Sequence, residues 1–321
     1  MTDTGHYTLG RYQRTQDCRD LDQSIKHFER ARDLYPNDHP CWSAALFNLA
    51  TANLISCQVN GKYLDLDIPI SLFHEALDLL PTGHPDRPAT QLHLAIAFLS
   101  RFTKLELCTQ SNDRHALDEA ISLHYGALKY YSTAHAQYGQ LLCNIGIALC
   151  IRFKRQGIPH DLDQAIAFQR QAMDLQPVGH SDRCYSLNNL ADALYTSFMH
   201  RGNHGDLDEA IIFFRQALNL WPIGDLGRGS SLNNLASALR TAFEHRGNYE
   251  DLDEAITFNR QALDLWPIGH PDRSSSLNNI ASALGTRFTQ RGNHKDLDEA
   301  ITFHRQALDL QPVDSILTRG H

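Results

Sequence analysis

Hydrophobic residues recur at helical spacing along the chain, and the pattern is clearest towards its C-terminal end. There, Leu252, Ala255 and Ile256 open a segment whose apolar residues lie three or four positions apart, as on one face of an α-helix. Pro267 ends this segment, because proline interrupts the helical hydrogen-bond ladder. A second apolar segment stops at Gly292, a residue type that tolerates the left-handed conformation closing many helices. The pattern predicts two helices and no strand.

This pair of predicted helices recurs with a period of 45 residues. The marker is the string Asp-Leu-Asp-Glu-Ala or a close variant, and its starts are 45 residues apart except for one interval of 51. An insertion near Lys104–Arg114 explains the longer interval. Such repeats are typical of solenoids, in which stacked neighbours bury the faces that one helix pair leaves open. The seven units start near residues 20, 65, 116, 161, 206, 251 and 296.

The two ends of the chain fit the same array. Residues 1–19 supply the tail of one further helix, since residues 9–12 (Leu-Gly-Arg-Tyr) resemble residues 284–288 (Leu-Gly-Thr-Arg-Phe). The last unit is truncated after residue 312, where another helix would begin. We expect residues 1–321 to form a single all-α repeat domain. Three alternatives fit its ends: part of a longer array, a chain that docks end to end on a copy or a partner, and a monomer with irregular ends.

The composition narrows the class of protein. Hydrophobic residues make up 42% and charged residues 21% of the chain, which is ordinary for a globular protein and argues against disorder of the whole chain. The 29 basic and 37 acidic residues give a formal net charge of −8, whereas a nucleic-acid-binding surface is expected to be basic. No secretory signal and no apolar run approaching ~20 residues occurs. We expect a cytoplasmic protein that binds neither nucleic acid nor membranes.

Cysteine and histidine do not form a metal-binding pattern. The seven cysteines are scattered without a Cys-x-x-Cys pair, so they predict buried thiols rather than disulfides or zinc ligands. Five histidines share one linker position in successive units, and layers roughly 10 Å apart cannot share a metal ion with bonds of about 2 Å. We expect these histidines to cap helices, and we expect no metal and no cofactor. They are His39, His84, His135, His180 and His270.

No catalytic constellation stands out either. The two aspartates of each Asp-Leu-Asp motif are two residues apart and point in different directions on a helix, and their recurrence is typical of residues that cap a helix start. The Gly-rich stretch at residues 224–229 aligns with a linker, follows no predicted strand and lacks the Gly-Lys-Ser/Thr of a phosphate loop. The sequence favours a non-catalytic protein without excluding an unusual enzyme.

Large and small residues recur at fixed positions of the two helices, before a proline. In one unit the first-helix residues are Leu232, Leu235, Ala236 and Leu239, and the second-helix residues are Ala255, Phe258, Ala262 and Pro267. In this pattern the repeats resemble the tetratricopeptide repeat, with the aromatic of the second helix one place early. The resemblance implies a right-handed superhelical α-solenoid of about seven helix pairs that binds a protein or peptide.

The 45-residue unit also resembles a more specific type of array. The combination of Leu-Asn-Asn-Leu-Ala, Arg-Gly-Asn and Gly-His-Pro-Asp-Arg is similar to arrays in fungal, especially basidiomycete, multidomain proteins. Those arrays often precede a CHAT domain, a caspase-like protease module. The chain has no non-repetitive stretch to hold such a domain, so the resemblance carries over no catalytic residue.

In tetratricopeptide arrays the first helix of each pair lines the concave groove, which implies ligand-binding candidates here. In the C-terminal half these positions are polar and suit hydrogen bonds to an extended peptide. These candidates are Asn188, Asp192, Tyr195, Asn233, Ser237, Arg240, Asn278 and Ser282.

The corresponding stretch of the N-terminal half is mostly apolar. An apolar groove would bind an amphipathic helix or an apolar small molecule. The alternative is that tighter helix packing buries these side chains on all sides. The candidates are Phe47, Thr51, Leu54, Leu92, His93, Ile96, Leu99 and Ile147.

We favour a non-catalytic scaffold that binds a peptide or a helix in its groove. The alternative function is a small-molecule-binding protein or unusual enzyme that uses the apolar N-terminal groove, with His93, Asp192, Tyr195 and Arg240 as its polar groups. A closed pocket that joins these four residues would favour the alternative, and an open groove would favour the scaffold.

Overall fold

The computed structural model describes residues 2–36, 39–60, 66–105, 114–267 and 270–310, and every regular element of more than one residue in these ranges is an α-helix. The predicted unit start at Asp65, most of the insertion and the predicted truncation after residue 312 lie outside the described residues. The first helices of the pairs are α1 (Thr2–Thr15), α3 (Trp42–Asn60), α5 (Arg87–Leu105), α7 (Tyr138–Gln156), α9 (Arg183–Arg201), α11 (Leu226–Arg246) and α13 (Pro271–Arg291). The second helices are α2 (Cys18–Leu34), α4 (Asp67–Asp78), α6 (Arg114–Leu128), α8 (Pro159–Asp174), α10 (His204–Leu220), α12 (Tyr249–Leu265) and α14 (His294–Asp309).

The chain divides into two compact units, Met1–Ala165 (unit 1) and Ile166–His321 (unit 2), with the boundary inside α8. Within a unit, each first helix packs against the second helix that follows it, and that second helix packs against the next first helix. This nearest-neighbour packing is the arrangement expected of stacked repeats. A single domain over residues 1–321 stays a prediction.

Glycine and asparagine form the turn inside the C-terminal pairs. Gly292 adopts φ +67° and donates its backbone N–H to the carbonyl of Phe288, which closes α13 as predicted. Asn293 then caps α14, because its side chain accepts the backbone N–H of Lys295. We expected the Asp-Leu-Asp motif to cap this helix, and that expectation is wrong: Asp296 lies inside the first turn, behind the asparagine cap.

A histidine closes each of five linkers between pairs. Nδ1 of His270 accepts the backbone N–H of Asp272 at 3.2 Å and caps α13. Asp272, a residue type common at helix caps, lies in the first turn of α13 instead. The predicted capping role of the linker histidines is confirmed at His270, and the other four accept a backbone N–H two residues ahead in the same way. These are His39, His84, His135 and His180.

Buried side chains at fixed repeat positions hold the helices of a pair together. Phe28 of α2 is 1% exposed and packs against Gly5 of α1, where an added Cβ would lie 2.6 Å from the phenyl ring. The first helix of this pair therefore requires glycine there, whereas Ala50 and Ala95 occupy the position in the next two pairs. Small residues allow the close helix approach that the repeat pattern predicts.

The position of Phe28 is buried in six successive second helices, whatever residue it holds. The six residues at this position are at most 2% exposed, and three of them are polar. In the sixth pair the buried residue is Asn259, so the matched aromatic Phe258 lies beside this position and is only half-buried. The six residues are Phe28, Phe73, His124, Gln169, Phe214 and Asn259.

None of the described helices combines the length and the apolar character needed to cross a membrane.

Candidate functional site

The asparagines of the predicted polar groove connect successive helix pairs of unit 2. Ser231 donates its hydroxyl to Oδ1 of Asn188 at 2.8 Å, and Ser276 donates to Oδ1 of Asn233 at 3.0 Å. In both cases the serine belongs to the next first helix. The amide groups of Asn188 and Asn233 therefore already have partners inside the protein.

Tryptophan side chains extend these two contacts. The indole Nε1 of Trp221 donates to Ser231 at 2.8 Å, and that of Trp266 donates to Ser276 at 3.0 Å. In each case a chain of hydrogen bonds runs from the indole through the serine hydroxyl to the asparagine amide. It fixes the stacking of neighbouring helix pairs. Sequence reasoning missed this chain, although the ten-residue spacing of tryptophan and serine occurs twice.

Asn278 has a different partner at the last helix pair. Its Oδ1 lies 3.1 Å from Nδ1 of His304 on α14. Among the described residues, the three groove asparagines thus serve contacts between helices.

The remaining candidates of unit 2 form a partly accessible strip across α9, α11 and α13. The hydroxyl of Tyr195 lies 2.9 Å from Oγ1 of Thr241, and Ser237 donates to the backbone carbonyl of Asn233 at 3.0 Å. Arg240 forms an ion pair with Glu244 one turn further along α11. We call this strip the α9–α11–α13 face and define it by Asp192, Tyr195, Ser237, Arg240 and Ser282, which are half-buried except for the exposed Ser282.

The α9–α11–α13 face is a place where otherwise similar repeats differ. Asp192, Ser237 and Ser282 occupy one equivalent position, and the residues Leu-Asn-Asn before it are identical in all three helices. A second equivalent position also varies: it holds Tyr195 in α9, Arg240 in α11 and Gly285 in α13. The recurring residues serve helix stacking, whereas the side chains that vary are half-buried or exposed, and Tyr195 among them also contacts Thr241 of α11.

The apolar candidates of unit 1 lie largely in its interior. Leu54, Leu92 and Leu99 are 3–6% exposed and contribute to the packing of α3 and α5. The other apolar candidates, and Thr51, are half-buried. They are Phe47, Ile96 and Ile147.

His93 belongs to an aromatic cluster of α3, α4 and α5. Its ring centroid lies 4.9 Å from that of Phe47 and 5.9 Å from that of Phe73. Nδ1 of His93 is 2.9 Å from the carbonyl of Ala89. Burial lowers the pKa of His93 below 6.5, so its imidazole is neutral at pH 7 and packs as an aromatic ring.

A cavity of about 220 Å³ opens at the start of α3 and α5 in unit 1. Of the predicted candidates, Phe47 alone contributes to its wall, and the four polar groups of the small-molecule alternative do not. Sequence reasoning missed the other lining residues because they lie in the linker or one turn before the candidate positions. The wall consists of Ser43, Ala44, Phe47, Leu80, Asp86, Ala89 and Thr90.

Within the described ranges, no group of three or more His, Cys, Asp or Glu side chains is arranged to hold a metal ion. Four of the cysteines are buried thiols, whereas Cys18 and Cys41 are exposed, so the prediction of buried thiols is wrong for these two. Cys108 lies outside the described residues. The buried four are Cys57, Cys143, Cys150 and Cys184.

The sequence of one repeat matches a known family. A family model described as tetratricopeptide repeat matches residues 228–272. This chain contains a tetratricopeptide repeat. The matched stretch runs from the first turn of α11 to the first turn of α13, which is one complete period of 45 residues. No curated protein sequence matches the chain at a significant level.

Solved structures share the fold at low sequence identity. Acl4, an assembly chaperone of RpL4, is 14% identical with a TM-score of 0.52, over 90% of this chain and 99% of that chain. The apo form of RapI is 10% identical with a TM-score of 0.51, over 95% of both chains. A structure of nearly identical TPR-like repeats from Podosopora anserina is 18% identical with a TM-score of 0.43, over 70% of this chain and 98% of that chain.

The similarities to Acl4 and RapI and the tetratricopeptide match of one repeat, together with the 14 described helices, confirm the predicted fold class: an all-α solenoid of TPR-like helix pairs.

Proposed function

We propose that the chain is a non-catalytic scaffold for protein–protein interaction and that unit 2 binds an extended peptide along the α9–α11–α13 face. The TPR-like fold is in general a protein-interaction scaffold. The observation that carries the proposal is that side chains on this face vary between repeats whose neighbouring residues are identical. Residues needed for stacking recur, and accessible residues that differ between repeats are the ones expected to serve recognition.

The spacing of the face suits an extended chain. Neighbouring first helices lie at helix-packing distances of about 8–10 Å, and an extended peptide advances roughly 3.3–3.6 Å per residue. About every second or third peptide residue would therefore meet an equivalent position on the next helix. Asp192 offers an acceptor and Arg240 a donor, which suits the polar main chain of a peptide.

The cavity beside Phe47 supports an interaction role for unit 1 as well. Its volume of about 220 Å³ is below the ~300–1,000 Å³ typical of small-molecule sites. One apolar side chain of a partner would fill it, and Asp86 at the wall favours a basic neighbour of that side chain. The formal net charge of −8 likewise favours a protein partner over a nucleic acid.

Selection from a displayed random-peptide library on the full chain tests the proposal. Fluorescence anisotropy then gives the affinity of each selected peptide for the unaltered chain and for two variants. Arg240→Ala alters the α9–α11–α13 face, and Ala44→Trp fills the cavity. We expect Arg240→Ala to weaken binding about tenfold or more, because a charge-assisted hydrogen bond is lost. The matched control, Arg30→Ala, removes an exposed arginine of α2 and leaves the affinity unchanged.

Two results would contradict peptide binding. One is a library that yields no enriched sequence. The other is a set of peptides whose affinity neither Arg240→Ala nor Ala44→Trp reduces.

A further inference from the structure

A repeated set of ion pairs joins consecutive second helices in unit 2. Nη2 of Arg215 lies 2.5 Å from Oε2 of Glu254, and Nη2 of Arg260 lies 2.5 Å from Oε1 of Glu299. The arginine belongs to one second helix and the glutamate to the next. Each second helix thus presents an arginine to the pair that follows it.

Aspartates on the second helices form ion pairs with arginines of the first helix that follows. Asp253 of α12 meets Nη1 of Arg287 on α13 at 2.8 Å, and Asp118 of α6 meets Nη1 of Arg152 on α7 at 2.9 Å. The same contact joins Asp67 to an arginine of α5 at 3.0 Å. An aspartate and an arginine on one second helix therefore bind the following pair together.

Helix α14 carries both charges without this partner. Asp298 and Arg305 are equivalent to Asp253 and Arg260, and neither side chain forms an ion pair with any residue of the described ranges. Ile301 between them is 42% exposed, whereas its equivalent Ile256 is 4% exposed.

One turn beyond Arg305, Leu308 is 55% exposed, whereas Leu218, at the equivalent position two repeats earlier, is 8% exposed. Spacings of three, four and three residues place the four side chains on one helix face. We call Asp298, Ile301, Arg305 and Leu308 the α14 outer face.

The opposite end of the array does not complement this face. In α1, Tyr7 is 62% exposed at the position where Ala52 is fully buried 45 residues later. Thr4 is exposed at the position of the buried Leu49. A bulky tyrosine and a polar threonine at these positions do not offer α14 the small and apolar side chains that it would meet on a following repeat. Head-to-tail stacking of two copies is therefore disfavoured.

The α14 outer face complements itself. We infer that it binds the same face of a second copy of this chain, with the two α14 helices antiparallel about a two-fold axis. An axis between residues 301 and 302 places Asp298 of each copy opposite Arg305 of the other, because both residues lie equally far from it. Ile301 then meets its own counterpart at the centre. Two-fold interfaces require this self-complementarity.

The interface is small, so we expect weak dimerisation, with a dissociation constant on the order of micromolar. Two exposed ion pairs contribute to it, and its affinity therefore falls as ionic strength rises. The surface is distinct from the α9–α11–α13 face, and the dimer does not depend on peptide binding.

A charge-exchange series followed by sedimentation velocity tests the dimer over a range of protein concentrations. Arg305→Asp and Asp298→Arg each place like charges across the axis, and we expect either variant to weaken dimerisation about tenfold or more. The double variant Asp298→Arg/Arg305→Asp restores both pairs with exchanged signs and returns the affinity to within about threefold of the unaltered chain. Arg30→Asp, an equal charge change on α2, is the control and leaves dimerisation unchanged.

All four residues of the α14 outer face are exposed, so their substitution should leave the fold intact. A change in dimerisation can therefore be attributed to the interface. Circular dichroism and the melting temperature check this for each variant. A chain that stays monomeric at every concentration overturns the inference, including the case in which residues after α14 or another protein cover the face. A dimer that the single charge reversals leave unchanged also overturns it.

Discussion

Arg287 and Asp296 face each other across the turn between α13 and α14. The Nε and Nη2 atoms of the guanidinium donate to the two carboxylate oxygens at 2.9 and 2.8 Å. The side chain of Asp296 is 6% exposed, so the bidentate contact supplies the partners that a buried carboxylate requires. Arg152 and Asp161 repeat this contact in unit 1.

The sixth unit lacks this contact and shows what the arginine contributes. Ala242 stands where Arg287 would be, so Asp251 lacks the equivalent guanidinium and is left with a coulombic attraction to Arg246 across the turn. Burial raises the pKa of Asp251 above its ordinary value. A carboxyl with a raised folded-state pKa stabilises the fold below its unfolded pKa and loses that contribution as the pH rises.

We predict that Arg287→Ala lowers the free energy of unfolding by about 1–3 kcal/mol at pH 7, because Asp296 is left buried without its partner. In the double variant Arg287→Ala/Asp296→Asn the cost should be smaller than the sum of the two single costs. Asp251→Asn is the matched comparison, and it should leave stability unchanged or raised at pH 7. Urea unfolding measures the free energy of unfolding of the unaltered chain and of the four variants Arg287→Ala, Asp296→Asn, Arg287→Ala/Asp296→Asn and Asp251→Asn. Equal losses from Asp251→Asn and Asp296→Asn would contradict this account.

His124 predicts a loss of stability in acid. It occupies the buried position of Phe28, and burial lowers its pKa from 6.5 to about 4. The unfolded chain therefore binds a proton first, so stability is fully present above pH 6.5 and falls as the pH drops towards 4. The loss from this residue is at most about 3 kcal/mol. Nε2 of His124 also has no hydrogen-bond partner among the described residues.

His124→Phe should remove this acid dependence and stabilise the protein at every pH, because phenylalanine fills the equivalent position at Phe73 and Phe214. The measurement is the free energy of unfolding in urea at a series of pH values. His115→Gln, which changes an exposed histidine of the same helix, is the control and retains the acid loss. An unaltered pH dependence in His124→Phe would show that other groups cause it.

Two helical glycines should respond in opposite ways to alanine. A Cβ added to Gly285 meets no atom within 4 Å, whereas one added to Gly229 would lie 2.6 Å from the indole of Trp266. Gly285→Ala should therefore stabilise the protein by about 0.5–1 kcal/mol through reduced backbone entropy. Gly229→Ala should cost about 1–3 kcal/mol, since Trp266 must leave its place against Ser276. The melting temperature of each variant, compared with that of the unaltered chain, shows whether the substitution stabilises or destabilises the protein. A gain from both substitutions would refute the packing constraint at Gly229.

The sequence predicts the helices well because their signals are local. Pro267 and Gly292 mark helix ends through their own backbone restrictions, and the likeness of residues 9–12 to residues 284–288 correctly predicts α1. The mistaken cap at Asp296 has a physical reason: its true partner, Arg287, is reached only across the turn. A carboxylate near a helix start has the same sequence pattern whether it caps the helix or pairs with another helix.

The candidate site was less predictable because accessibility depends on packing between pairs. Asn188 and Asn233 fit a peptide-binding position by residue type, yet the serine of the following helix already holds each amide. The cavity beside Phe47 arises where two first helices and a linker meet, and no local pattern marks such a place. Periodicity indicates which residues are equivalent, but the distance between helices decides which of them a ligand can reach.

The linker histidines show that the turn between helix pairs requires a side-chain acceptor rather than a particular ring. Each of the five uses Nδ1 to accept a backbone N–H two residues ahead. In the linker before α11, Asp225 stands at the equivalent position and accepts the backbone N–H of Gly227 at 2.7 Å. A carboxylate therefore supplies the same bond as an imidazole, and replacing one of these histidines by aspartate should keep the linker geometry.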